Sequence, residues 1–303
     1  MKKRNIALLG LGAIGAGYGA LIKYYYDYCF KRVPAHTLEG DSPYVQRYQE
    51  GMKFVDSVAF DQVSIESFDH LKLNGYYVDQ KSEKTIILVH GYHSNAFEEY
   101  ATFIEFLYKD HFNILVIDQR SHGKSEGKWI DFGYNESKDL VNWSAFIQNN
   151  YPCQSLYYLG ISMGSATVLT TSGCDLSPYH VKGIIADCGY DTLENELKHV
   201  IHKKKLPVFV FFGPSNLIHK LHTGHSIKES NPIDGVRKTK VPILFIHGTE
   251  DHFVPTHYCY SLYKACPSEK ELYLVKDAKH ACSHVVEKEE YEQKVLNFLH
   301  KHQ

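Results

Sequence analysis

A serine hydroxyl is a weak nucleophile at neutral pH. One that does covalent chemistry must be exposed on a tight turn, beside a base that takes its proton. Gly160-Ile161-Ser162-Met163-Gly164 has the form of such a turn. The apolar run Leu156-Tyr157-Tyr158-Leu159 precedes it and the small-residue stretch Ser165-Ala166-Thr167-Val168 follows, so Ser162 stands between a strand and a helix as a nucleophile elbow. Glycines here let strand and helix pass closely, and strained backbone is expected at the serine itself. The Met163 amide, at a helix amino terminus, can donate to developing negative charge. In a chain with 21 glycines the pattern alone could be an ordinary turn, and the flanking strand and helix are what favour the chemical reading.

A base and a group to orient it must come from downstream. Ile243-Leu244-Phe245-Ile246 runs into His247-Gly248-Thr249-Glu250-Asp251-His252-Phe253-Val254-Pro255, which puts two carboxylates at a strand's carboxyl end, where open α/β sheets keep their sites. Asp251 is preferred, because it is the shorter acid just before the helix-leading Phe-Val-Pro, whereas Glu250 reads equally as a solvated turn residue. The last strand, ending at Val275, leads through Lys276-Asp277-Ala278-Lys279 to His280 at the same edge. His284, at the start of the final helix, is the rival base. Ile86-Ile87-Leu88-Val89 leads into His90-Gly91-Tyr92, where the Tyr92 amide is the natural second oxyanion donor and Gly91 permits close backbone approach. His90 is expected to orient the loop. The segment from Asp118 to Gly127 reads as a buried polar network, with direct substrate contact by Arg120 or His122 as the lesser alternative.

Three other patterns carry no chemistry on this reading. His219-x-x-His222-x-x-His225 lacks the His-x-x-x-His face of zinc enzymes and has no nearby Glu or Cys to complete a set, so no metal site is expected. The seven cysteines form no CxxC pair and are odd in number, so neither a disulfide framework nor a zinc cluster is read. Gly10-Leu11-Gly12-Ala13-Ile14-Gly15 spells a dinucleotide fingerprint, but no second strand ending in an acid follows. No organic cofactor is expected.

These residues need elements to hold them. Short apolar runs at 85–89, 114–118, 156–161, 181–186, 243–247 and 272–275 alternate with helical periods at 98–109, 135–149, 163–172, 256–265 and 286–300, which predicts a mostly parallel sheet covered on both faces. Runs at 63–67 and 71–78 read as an antiparallel start. Residues 191–240 break the rhythm with a Lys-rich helix and the apolar Phe209-Val210-Phe211-Phe212, and are read as a small helical cap insertion. Those phenylalanines suit an apolar acyl or alkyl group, or simply pack the cap onto the body. Lys203-Lys204-Lys205 reads as a solvated face.

The amino terminus has a cationic start and an apolar run from Ile6 to Ile22, the layout of an uncleaved signal anchor over residues 1–23. Residues 24–62 then read as linker and lead-in, and 63–303 as the catalytic body, placed outside the cytoplasm by the positive amino-terminal flank. The 303 residues are 44% apolar and carry 33 Lys and Arg against 35 Asp and Glu, a formal charge of -2. That balance excludes global disorder and removes the electrostatic case for nucleic-acid binding.

Taken in order, His90-Gly91, the Asp118 to Ser125 segment, the elbow, the His247 to Pro255 segment with Asp251 at the acid position, and a terminal His loop resemble the α/β-hydrolase family, most closely its bacterial serine hydrolases. The resemblance spans residues 63 to the carboxyl end. It implies an α/β-hydrolase fold with an eight-stranded sheet containing one antiparallel member, a triad of Ser162, Asp251 and His280, and hydrolysis through an acyl-enzyme. The expected activity is cleavage of a small carboxylic ester, with the Tyr92 and Met163 amides as the oxyanion hole. The alternatives are a serine peptidase of aminopeptidase type and a catalytically silent hydrolase fold serving as an interaction module; the loss of a triad member would favour the latter, and none is missing.

Overall fold

The computed structural model describes the backbone of residues 2–33 and 43–303, and the side chains of residues 15–33 and 45–303. In chain order the elements are α1 (Lys2–Phe30), α2 (Pro43–Asp56), β1 (Asp61–Glu66), β2 (Lys72–Val78), β3 (Lys84–Val89), α3 (Ala96–Lys109), β4 (Asn113–Asp118), α4 (Tyr134–Asn150), β5 (Ser155–Ile161) and α5 (Met163–Thr171). They continue with β6 (Val181–Asp187), α6 (Leu193–Lys203), α7 (Val208–Thr223), α8 (Pro232–Val236), β7 (Ile243–Gly248), α9 (His257–Ala265), β8 (Lys270–Val275), α10 (Ser283–Val286) and α11 (Lys288–Lys301).

Continuous apolar runs form the central strands because both faces of the sheet are covered. Ile86 and Leu88 of β3 point into one buried layer and Ile87 and Val89 into the other; β4 and β5 alternate in the same way. The eight strands lie in the order β1-β2-β4-β3-β5-β6-β7-β8. β2 runs antiparallel to both its neighbours and every later pairing is parallel, so β2 is the one antiparallel member. Parallel pairing brings the carboxyl ends of β3, β5, β7 and β8 to one edge, where the loops carrying Tyr92, Ser162, Asp251 and His280 emerge.

Between β6 and β7 lie α6, α7 and α8, in the stretch expected to be a cap. Helix α7 crosses the Gly213-Pro214 pair that breaks the sequence pattern, with Pro214 inside the helix.

The amino-terminal region departs from the expected linker, whose first residues are helical. The glycine pattern from Gly10 to Gly15 lies inside the continuous helix α1, with no strand ahead of it. Residues 24–30, expected to begin a linker, form the end of that helix, and Ile22, Tyr26 and Phe30 are buried. Tyr26 stacks on Phe30 at 4.8 Å, and Phe30 meets Phe132 edge-on at 5.3 Å. Beyond the helix, Arg32 donates its backbone N–H to Lys128 O at 2.9 Å and its guanidinium to the carbonyls of Gly123 and Ser125. Burying rings of this size stabilises by about 1.5–3 kcal/mol each, so this half of α1 is part of the body. The expected membrane segment, residues 1–23, falls partly outside the described residues: Met1 is not described, nor are the side chains of 2–14. Among the described residues no helix is long and apolar enough to cross a membrane.

Candidate active site

Ser162 sits between the last residue of β5 and the first of α5 with φ 55 and ψ −114, a conformation that non-glycine residues rarely adopt. The flanking glycines make this possible by contact. A Cβ on Gly160 would stand 2.3 Å from the Gly164 carbonyl oxygen, and one on Gly164 would stand 1.8 Å from that of Val89. The strained turn is held from beneath by the Ser162 N–H, which donates to Asp187 O at 2.9 Å.

The loop after β8 brings His280 to the serine, with Nε2 2.9 Å from Ser162 Oγ. Its Nδ1 lies 2.7 Å from Asp251 Oδ2. Asp251, not Glu250, is the carboxylate that reaches His280; Glu250 is exposed and lies 3.4 Å from His252 Nε2. His284, the rival base, is turned away onto Glu292 at 3.0 Å and packs on Phe103. The loops after β7 and β8 are locked together: Glu250 N–H donates to Ala278 O at 3.0 Å, and a Cβ on Gly248 would stand 2.2 Å from that same oxygen.

Asp251 is shielded from solvent while the His280 side chain keeps 22% of its surface open. The acid is thus held in low dielectric while the base stays partly open to solvent. Burial alone would raise the Asp251 carboxyl, but hydrogen bonds from His247 and His280, with the Val254 amide, outweigh it and hold the group well below the usual carboxylate range. The amides of Phe253 and Val254 each donate to Oδ1 at 2.9 Å. His247, on β7, lies 3.3 Å from Asp251 Oδ2 and donates to Val254 O at 2.9 Å. Burial would lower this imidazole, yet Asp251 overrides it and the group is pushed up to about 10.

On the other side of the serine, Gly91 packs against the elbow, where a Cβ would stand in van der Waals contact with Ser162 Cβ at 3.5 Å. Outside the helix and strand ladders, neither the Tyr92 nor the Met163 backbone N–H donates to another backbone group among the described residues. His90 is fully buried, with Nε2 accepting from the Gln119 amide at 3.0 Å and Nδ1 2.7 Å from Gly91 O, the loop-orienting place expected of it. Arg120 pairs with Asp139 and Asp69 at 2.6–3.1 Å, and Asp118 accepts from the amides of Ala96 and Lys124, so this segment is a network of buried polar groups.

Ser162 opens onto a cavity of about 190 Å³. Its walls are mostly apolar, among them Phe132, Tyr190, Leu193 and Leu197, with Glu196 and Lys204 as the charged exceptions. Tyr28 and Cys29 from the end of α1 also line it, and the Tyr92 hydroxyl donates to Cys29 O at 2.9 Å. Sequence reasoning did not single out His247, Glu196 or the α1 residues for roles at the site. His247 lies four residues from Asp251 in a segment already flagged, but nothing in the sequence marks α1 or Glu196 as neighbours of Ser162.

The sheet order, the elbow and the edge on which the loops gather define an α/β hydrolase. Residues 80–223 match the model of a family described as serine aminopeptidase, S33. The chain is 26% identical over 302 residues to the protein YqkD of Bacillus subtilis (strain 168), covering 99% of this chain and 97% of that one. It is 25% identical over 236 residues to YfhR of Escherichia coli (strain K12), covering 74% and 75%. Among solved structures it resembles the esterase Pf2001 of Pyrococcus furiosus with a TM-score of 0.67 at 26% identity, over 90% of this chain and 98% of that one. The chain is thus an α/β-hydrolase enzyme, a serine hydrolase in its broad class.

Proposed function

We propose that the protein hydrolyses small carboxylic esters through an acyl-enzyme formed on Ser162. The observation that carries this reading is the continuous chain from Ser162 Oγ through His280 to Asp251, at 2.9 and 2.7 Å, opening onto an apolar cavity. His280 takes the serine proton as Oγ attacks the acyl carbon, then returns it to the leaving alcohol. Asp251 keeps the proton-bearing Nδ1 oriented and stabilises the imidazolium, while the amides of Tyr92 and Met163 receive the oxyanion. Water then attacks the acyl-enzyme with His280 again as base. The likeness to an esterase supports the ester as substrate, and the apolar walls support an acyl or alkyl group on it. A fluorophosphonate probe should label the wild-type chain and leave Ser162→Ala unlabelled. Equal labelling of both, or of neither, rejects the mechanism.

One observation favours a second reading, an aminopeptidase-like hydrolase. Glu196 lines the cavity with both carboxylate oxygens buried and without a hydrogen-bond partner, a place where a substrate ammonium would fit. Rates on p-nitrophenyl esters against aminoacyl amides separate the two, since an ester preference abolished by a free amino group in the acyl chain excludes the peptidase.

We further propose that the apolar run from Ile6 to Ile22 attaches the enzyme to a lipid bilayer, with the body outside the cytoplasm. Leu21 and Tyr24 on α1, and Phe209, Leu217 and Leu221 on α7, are exposed apolar side chains on helices that pack together, continuous with that segment. Sedimentation of the chain with membranes, lost on deletion of residues 1–14, is the expected result.

A further inference from the structure

We propose that Asp131, His219 and His225 form a binding site for a divalent transition-metal ion such as zinc, separate from the serine, that ties the cap to the body. Asp131 Oδ1 lies 3.4 Å from His225 Nε2 and 3.9 Å from His219 Nε2, and the three ligand atoms all fall within 4.8 Å of one another. In a tetrahedral zinc site with bonds of about 2.0–2.1 Å the ligand atoms stand about 3.4 Å apart. The His225–Asp131 pair already has that spacing, and His219 has to move inward by about half an ångström to join it. All three residues are buried, and none of the three atoms has a hydrogen-bond partner.

The orientation of the rings strengthens the case. His225 Nδ1 faces the Ser226 carbonyl at 3.4 Å, and a carbonyl can only accept, so the proton of a neutral ring belongs on Nδ1. Its Nε2 lone pair then points at a carboxylate oxygen, an acceptor against an acceptor, which is repulsive unless a cation stands between them. A proton there would serve one contact and leave His219 Nε2 unpaired at 3.9 Å, whereas one metal ion at the centre serves all three. The second contacts are of the kind that orient metal ligands: Tyr26 Oη lies 3.2 Å from His219 Nδ1, and Asn135 Nδ2 donates to Asp131 Oδ2 at 2.7 Å.

The assembly joins parts far apart in sequence. Asp131 precedes α4, His219 is in the last turns of α7, and His225 follows Gly224, whose φ of 83 ends the helix and turns the chain back. Six residues apart on one helix the two rings would diverge, and the left-handed glycine is what lets them converge. His222 takes no part, being stacked on Trp129 at 4.2 Å. Asp131 adjoins Phe132, which lines the cavity at Ser162, so an ion here would also fix one wall of that cavity.

The test uses the full chain, stripped with a chelator and titrated with Co(II), then with Zn(II). One equivalent of cobalt should give visible absorption bands that zinc displaces, and zinc should raise the melting temperature by about 5 °C or more. Asp131→Asn and His219→Ala should weaken binding at least 100-fold, while His222→Ala should leave it unchanged. Cys188, Asp251 and His280 form a second group of ligand types at the serine, which His280→Ala dismantles. Binding that survives at Asp131 and His219 variants but disappears in His280→Ala overturns the proposal, as does a wild-type chain that binds neither metal at 100-fold molar excess. Should the buried variants fail to fold, X-ray absorption of the zinc-loaded wild type decides. Two imidazole nitrogens with oxygen and no sulfur support the site, and a sulfur at about 2.3 Å rejects it.

Discussion

Asp251 illustrates how a residue's role depends on the partners around it. Two amides and two imidazoles converge on one shielded carboxylate, so it remains charged where burial alone would neutralise it. Asp251→Asn keeps the size and loses the charge, and should lower kcat by about 10³–10⁴ with KM little changed, as measured on a p-nitrophenyl ester. His247 makes a pH prediction of definite sign. Its folded value of about 10 is above the ordinary histidine value near 6.5, so the folded state holds the proton more tightly than the unfolded chain. That stabilisation is complete below pH about 6.5 and is lost progressively as the pH rises to about 10. Urea midpoints should fall across that window in the wild type, and the fall should be smaller in His247→Gln. An equal fall in the two chains would show that His247 carries no such charge.

At the scale of elements, the elbow depends on helix and strand touching through backbone. Gly164→Ala puts a methyl group against Val89 O, where neither partner is a flexible side chain that could give way. A loss of about 3 kcal/mol or more is expected in denaturant unfolding, together with lost activity. The elements that hold Ser162, Asp251 and His280 were legible because their signals are local. Apolar runs bounded by turn residues predicted β3 to β8 to within a few residues, and the strand-to-helix switch around Ser162 predicted the elbow. Helix α7 was not legible, because Gly213-Pro214 is locally a break and only packing against α1 and α6 carries the helix through it. The helical run expected at 286–300 is α11, and the short α10 precedes it as a separate turn ending at Val286.

Over the whole molecule, α1 changes what the amino terminus means. The apolar run occupies it as far as Ile22, and its last two turns pack on the cap and supply Tyr28 and Cys29 to the cavity wall. Two truncations should therefore behave differently. Removal of residues 1–14 should leave esterase activity within about twofold, because nothing described at the site depends on them. Removal of residues 1–30 strips Tyr26 and Phe30 from a buried cluster and should lower the melting temperature by several degrees while cutting activity at least tenfold. Equal activity in the two truncations would show that α1 is dispensable to the site.

The sequence by itself determined the order of the sheet strands and of the helices between them outside the cap, the turn that strains Ser162, and the chain order of serine, acid and histidine. Each of these is written within about ten neighbouring residues, as a hydrophobic period, a glycine where no Cβ fits, or a loop after a strand. The sequence already preferred Asp251 to Glu250, whereas only the tertiary structure decided that α1 lines the cavity and that His219 and His225 lie beside Asp131. Such contacts depend on how whole elements pack. Tyr26 meets His219 across 193 residues of chain, and no local pattern encodes a separation that only the packing of α1 on α7 creates.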